Sequence, residues 1–243
     1  GVTAVGSKAL NVLTSGAGNT AVGYIAGQSI TTGSNNTALG YSSMGEATGN
    51  AITGEDNTCV GFKAGFELSG TASNNTLVGT LAGWNLEGVD GNTAVGRYAL
   101  QTSSAAVDCV AIGTLAMNAG TATQAGTVAI GKSALTALAG GSGNTAIGYQ
   151  AGLIIDSGGN NTIIGYQAGF NFDAETNNTV IGKGAMGGAI NGASLCVVIG
   201  SDTMGAAATE NGTIAIGHDA LAALTGGAGN IGVGYGALKQ HTT

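Results

Sequence analysis

The residues best suited to chemistry in this sequence are few and far apart. Gly126-Thr127-Val128-Ala129-Ile130-Gly131-Lys132-Ser133 fits the G-x-x-x-x-G-K-[ST] pattern, in which backbone N–H groups curl round phosphate oxygens. Such a loop needs a strand before its first glycine and a helix after its serine. Here the four middle residues have the pattern of a strand themselves, so the match is read as accidental. Cys59, Cys109 and Cys196 are spread along the chain. His218 and His241 are the two histidines, with no HExxH and no Cys/His cluster to hold zinc. His218 beside Asp219 makes no triad without a placed nucleophile. The acidic residues Glu55, Asp56, Asp90, Asp156, Asp173, Glu175 and Glu210 fall in turns, match no calcium-loop spacing, and read as solvated. The expectation is a chain with no catalytic residues, no cofactor and no metal.

Composition explains the scarcity. Of 243 residues 47 are glycine, none is proline and 8% are charged. Glycine costs roughly 1 kcal/mol per residue in a helix relative to alanine, and its even spread excludes a helical bundle. Collagen is excluded by the absence of proline and of a Gly-X-Y period. The hydrophobic share of 43% is too high for simple disorder, and no apolar run suggests a membrane span. A net charge of −7 with no basic cluster opposes a phosphate backbone, so nucleic acid is not an expected partner. The chain starts at Gly1 rather than methionine and reads as part of a longer polypeptide.

The glycines mark a repeat. Anchors at Gly6, Gly23, Gly40, Gly61, Gly79, Gly96, Gly113, Gly131, Gly148, Gly165, Gly182, Gly200, Gly217 and Gly234 are 17 or 18 residues apart, with a single 21-residue unit before Gly61. The array fills the whole chain as one domain of 14 coils, residues 1–243, with no linker. Before each anchor stands Val, Ile or Leu: Val5, Val22, Leu39, Val60, Val78, Val95, Ile112, Ile130, Ile147, Ile164, Ile181, Ile199, Ile216 and Val233. Two places earlier stands Thr in nine coils and Val or Ile in the rest. Period-two alternation of β-branched residues predicts a short strand, with these two columns facing a buried core. The small column between them (Ala21, Cys59 and Ala94, for instance) would then point outward, still apolar, and need a cover.

Other columns are as regular. Alanine stands three residues after the anchor in 12 coils, which predicts a second strand or bend. Asn19, Asn36, Asn57, Asn75, Asn92, Asn144, Asn161, Asn178 and Asn230 share a corner and can form a hydrogen-bonded ladder, interrupted where Cys109, Thr127, Cys196 and Thr213 replace them. Tyr24, Tyr41, Phe62, Tyr149, Tyr166 and Tyr235 share one column, while Phe66, Trp84 and Phe170 share another; both are expected to stack along the axis. Lys8, Lys63, Arg97, Lys132 and Lys183 follow anchors, on a different corner from the acids.

A unit of 17 residues cannot fold alone and buries its apolar face only against its neighbours, which is the logic of a solenoid. Parallel coils at about 4.8 Å would give a body roughly 60 Å long, and the three cysteines would lie too far apart for a disulfide. An outward apolar stripe of that length calls for self-association.

Asn19-Thr20-Ala21-Val22-Gly23-Tyr24-Ile25-Ala26-Gly27, Asn144-Thr145-Ala146-Ile147-Gly148-Tyr149-Gln150-Ala151-Gly152 and Asn161-Thr162-Ile163-Ile164-Gly165-Tyr166-Gln167-Ala168-Gly169 resemble the repeats of YadA-like trimeric autotransporter adhesin heads and of bacteriophage tail-fibre shafts. The resemblance covers essentially every coil, and the 17-residue repeat, longer than is usual in adhesin heads, favours the phage form. It implies an all-β, left-handed parallel β-roll, assembled as a homotrimer, in an extracellular virion fibre that touches a host glycan or protein. Glu46 and Thr48 in the longer fourth coil, with Trp84, are the expected surface contacts. A bacterial adhesin head is the alternative. An ice-binding solenoid is a further alternative, disfavoured because Thr exchanges with Val and Ile and is therefore expected to face inward.

Overall fold

The computed structural model describes residues 1–45, 51–102, 105–119, 124–188, 192–206, 209 and 211–242. Two compact units, Gly1–Ala125 and Gly126–Thr243, each hold seven strands. The fold is an all-β parallel solenoid, with no helix among the described residues. Each coil contributes one three-residue strand ending immediately before its anchor glycine. In the first unit these are β1 (Thr3–Val5), β2 (Thr20–Val22), β3 (Thr37–Leu39), β4 (Thr58–Val60), β5 (Thr76–Val78), β6 (Thr93–Val95) and β7 (Val110–Ile112). The second has β8 (Val128–Ile130), β9 (Thr145–Ile147), β10 (Thr162–Ile164), β11 (Thr179–Ile181), β12 (Val197–Ile199), β13 (Ile214–Ile216) and β14 (Ile231–Val233).

Within each unit every strand pairs in parallel with the next coil's strand, in strict register. Ala21 lies opposite Ala38, and Ile163 opposite Val180. The strand's first N–H donates forward, as from Thr20 to Asn36 O at 2.8 Å, and the anchor N–H donates back, as from Gly40 to Val22 O at 2.9 Å. The anchor must be glycine. Gly61 has φ +136, and a Cβ there would stand 2.6 Å from the carbonyl oxygen of Gly79 in the next coil.

The strands face the opposite way from the sequence expectation. The middle residue of each strand is the buried one from β2 to β14, and the flanking residues are half-buried or exposed. The column Val5, Val22, Leu39, Val60, Val78, Val95, Ile112, Ile130, Ile147, Ile164, Ile181, Ile199, Ile216 and Val233 is therefore not the core of the chain. Leu39 is 45% exposed and Ile147 36% exposed, while Ala21, Ala94 and Ile163 are fully enclosed. The reason is width. A chain that returns within one 17-residue coil leaves limited room between its two sides, so most strand centres are small.

The opposite side is made of turns, the bend rather than the second strand of the two alternatives expected. Among the described residues, 28 non-glycine residues have φ between 47 and 62°. All fall two or four places after an anchor or five before it, in runs such as Leu100, Met117 and Leu135. Left-handed backbone cannot extend a strand. Hydrogen bonds still link the coils there: Leu10 N–H donates to Ala26 O at 3.0 Å, and Gly65 N–H to Ala82 O at 2.9 Å. In the first unit single parallel bridges add to this, Ile30 with Ile52 and Ile52 with Gly70.

Core volume is balanced across several coils. Where the strand centre is alanine, the fourth residue after the anchor is often Leu or Met, as in Ala94 with Leu100 and Ala111 with Met117. Where the centre is large, that residue is often glycine: Leu77 goes with Gly83 and Ile163 with Gly169. A Cβ on Gly83 would meet Leu77 Cδ2 at 2.6 Å. Close packing of this kind fixes the coil's thickness.

Candidate functional site

Because alternation puts the strand centres inside, the Thr and Val/Ile columns form one outward face of parallel sheet in each unit. Its composition is largely β-branched, Val, Ile or Leu in one column and mostly Thr in the other, without a charge, and it is only partly covered within the chain. Beside it run the aromatics that follow the anchors. Tyr24 and Tyr41 stack with ring centroids 5.3 Å apart, Tyr41 and Phe62 at 5.4 Å, and Tyr149 and Tyr166 at 5.2 Å. His218 takes the same column and stacks on Tyr235 at 5.3 Å. Stacking occupies the ring faces, and the ring edges remain open: Tyr166 is 49% exposed. Phe62, Lys63 and Phe66 extend the patch in the first unit, with Lys63 Nζ 4.5 Å from the Phe66 ring.

No family model, curated protein or solved structure matches the chain. Function is therefore argued from the chain's own surfaces.

The corner asparagines are buried and hydrogen-bonded from coil to coil. Asn57 Nδ2 donates to Ala72 O at 2.7 Å and to Asn36 Oδ1 at 3.0 Å, and its own Oδ1 accepts from Asn75 N–H at 3.1 Å. Asn36, Asn75 and Asn92 continue the run. In the second unit Asn144, Asn161 and Asn178 do the same. Asn19 opens the first run, with Nδ2 bonded to Gly33 O at 2.8 Å, whereas Asn230 turns onto carbonyls of its own coil, Gly226 and Gly227. Cys109 N–H and Cys196 N–H close the two runs, donating to Asn92 Oδ1 and Asn178 Oδ1. Thr127 and Thr213 occupy the same corner with buried hydroxyls that have no hydrogen-bond partner.

The residues with reactive potential are not brought together. None of the three cysteines is in a disulfide, and burial pushes the Cys59 thiol well up and the Cys196 thiol up, away from nucleophilic thiolate. The middle of the Gly126–Ser133 stretch is β8, and Ser133 sits in a turn with φ 59°, so no cradle of N–H groups forms. Lys132 Nζ lies 5.9 Å from the Tyr149 ring. Among the described residues no group of three His, Cys, Asp or Glu side chains gathers as a metal site, and no helix is long and apolar enough to cross a membrane. At the surface, Lys239 Nζ of coil 14 stands 2.6 Å from Asp219 Oδ2 of coil 13, with His218 Nδ1 3.4 Å from the same oxygen. The Lys239 hydrogen bond, with help from His218, holds the Asp219 carboxyl below its usual range.

Two expectations need revision or relocation. Glu175 is not solvated: it is buried, and its two carboxylate oxygens accept from Asp173 N–H at 2.6 Å and Gly192 N–H at 2.9 Å. It ties together two corners, a role its turn-like context concealed. Of the expected contact residues, Glu46 and Thr48 lie outside the described residues, as does Glu210. Trp84 is half-buried with its Nε1 covered and unpaired, so the polar edge of its indole is not offered to solvent.

Proposed function

We propose that this chain is a structural segment of an extracellular fibre, a phage tail-fibre shaft or receptor-binding fibre, built as a left-handed homotrimer that meets a host surface glycan or protein. The observation carrying this reading is the outward β-branched face. Its Val, Ile and Leu side chains recur on every coil of each unit, a repeated apolar surface of a kind that monomers rarely leave open. Two further copies of the chain would cover it, and the stacked aromatics would border the contact. Strict parallel register without proline suits a load-bearing element, because each coil donates backbone N–H groups to its neighbour. Immunogold labelling of parent particles with antibody raised against this chain tests the assignment. Gold along a tail fibre is expected; gold confined to a bacterial outer surface would favour an adhesin head.

One observation favours a second reading. The Thr column, expected inside, lies outside, in rank with Val and Ile on a regular sheet. A regular outward Thr array is what an ice-binding solenoid requires. Measurable thermal hysteresis at micromolar protein would favour that reading over the fibre.

A further inference from the structure

On the turn side of the second unit, three successive coils contribute residues two and five places after their anchors: Gln167 with Phe170, Gly184 with Gly187, and Asp202 with Gly205. They line an open groove of about 300 Å³, near the small end of the roughly 300–1,000 Å³ typical of small-molecule sites. In other coils the second of these columns carries Phe66, Trp84, Gln101 and Asn118. Its interruption by two glycines makes the groove.

The fold does not demand one of those glycines. A Cβ on Gly187 would stand 3.1 Å from Gly184 O, but Gly205 has no left-handed φ, and a Cβ on it would meet nothing nearer than 3.5 Å. A side chain would fit the backbone at Gly205 and would fill the groove. What the glycines expose is a consistent set of groups. Phe170, half-buried, forms an aromatic wall. The Gln167 amide is oriented by its Nε2, which donates to Gln150 Oε1 at 2.8 Å, so its carbonyl oxygen is the end left to accept. Asp202 accepts from Ser201 Oγ at 2.9 Å through Oδ2, while Oδ1 lies over Gly184, 2.7 Å from where a Cβ would stand. An apolar ring face next to two acceptors, with no cation among the lining residues, suits a ligand that has C–H groups on one face and hydroxyl donors at its rim. The carboxylate and the net charge of −7 disfavour an anionic ligand.

We infer that this groove binds a single neutral hexopyranose unit, with Phe170 against the ring and Gln167 and Asp202 accepting from its hydroxyls. The inference deepens the host-contact part of the fibre reading and rests on it for the kind of ligand encountered.

Saturation-transfer NMR on the full chain tests it with methyl α- and β-glucoside, galactoside, mannoside and N-acetylglucosaminide at millimolar concentration. At least one is expected to receive saturation and to shift the Phe170 ring resonances. Gly205→Leu should weaken that binding at least tenfold with an unchanged circular dichroism spectrum, and Asp202→Asn should weaken it less. Because Phe170→Ala removes only a half-buried surface ring, loss of binding in that variant supplies a second check on a folded protein. Absence of transfer to every sugar, or binding that survives Gly205→Leu, overturns the inference. Sedimentation of the same samples separates the two readings: a trimer that binds no sugar sinks the groove alone, and a sugar-binding monomer sinks the fibre alone.

Discussion

Coils with asparagine at the corner and coils with threonine there follow the same path with different bonding. Asn161 donates to Glu175 O at 2.8 Å and to Asn144 Oδ1 at 3.1 Å, and accepts from Asn178 N–H at 2.9 Å. Thr213 is as deeply buried, yet its hydroxyl bonds to nothing. The strand bonds persist in both: Thr162 N–H reaches Asn178 O at 2.8 Å and Val197 N–H reaches Thr213 O at 2.9 Å. The ladder therefore does not set the path of the chain. Anchor glycines and backbone bonds between coils set it, and the asparagines add stability by satisfying corner carbonyls and amides that would otherwise be buried unpaired.

The largest effect should come from removing an asparagine. Asn161→Ala leaves the Glu175 carbonyl and the Asn178 N–H without partners, at about 1–3 kcal/mol for each buried group. Faster hydrogen exchange at Asn178, with the strand amides of neighbouring coils unaltered, is the expected signature; unchanged exchange would mean the ladder is idle. A smaller effect of opposite sign is expected from Thr213→Val, which deletes an unpaired hydroxyl at constant shape and should stabilise by about 1 kcal/mol. Thr203→Val sharpens the contrast, since the Thr203 hydroxyl donates to Gly217 O at 2.5 Å and its loss should destabilise by about 1 kcal/mol. Chemical denaturation measures both, and equal signs for the two variants would break the comparison.

The smallest effect concerns the Thr213 coil's ion pair. Asp219 has a lowered folded pKa, chiefly from the Lys239 hydrogen bond, so its contribution is present above the unfolded value of about 3.9 and fades as acid brings the pH down through the folded one. Lys239 is raised by the same bond, so its share is present below its unfolded value and lost as the pH rises through the folded one. Lys239 is exposed and Asp219 half-buried at the surface, so Lys239→Met should alter acid and alkaline unfolding slightly, and high salt should weaken the difference. A large change in moderate salt would contradict a surface pair.

Much of this architecture was legible in the sequence. Anchor spacing placed all fourteen strands and the corner column, because a repeat exposes equivalent positions that no single coil reveals. The facing of the strands was not legible from alternation, which tells which residues share a side but not which side is inside. Residue size held the missing signal. Leu77 is matched by Gly83 and Ile163 by Gly169, so the strand centre and the residue four after the anchor share one interior. The turn side was hidden for another reason: Lys63, Tyr98 and Gln150 adopt left-handed φ although their residue types do not favour it, because bonds between coils outweigh the local preference. Glu175 and the Gly205 groove depend on which neighbours drop out in adjacent coils, a relation a single column does not display.

Sedimentation equilibrium of the intact chain bears most directly on the outward face as a contact between copies. A species of three times the 23.2 kDa chain mass is expected, converting to monomer when Ile147 and Ile164 are both replaced by Lys. A stable wild-type monomer, or a trimer indifferent to those two replacements, would contradict the account.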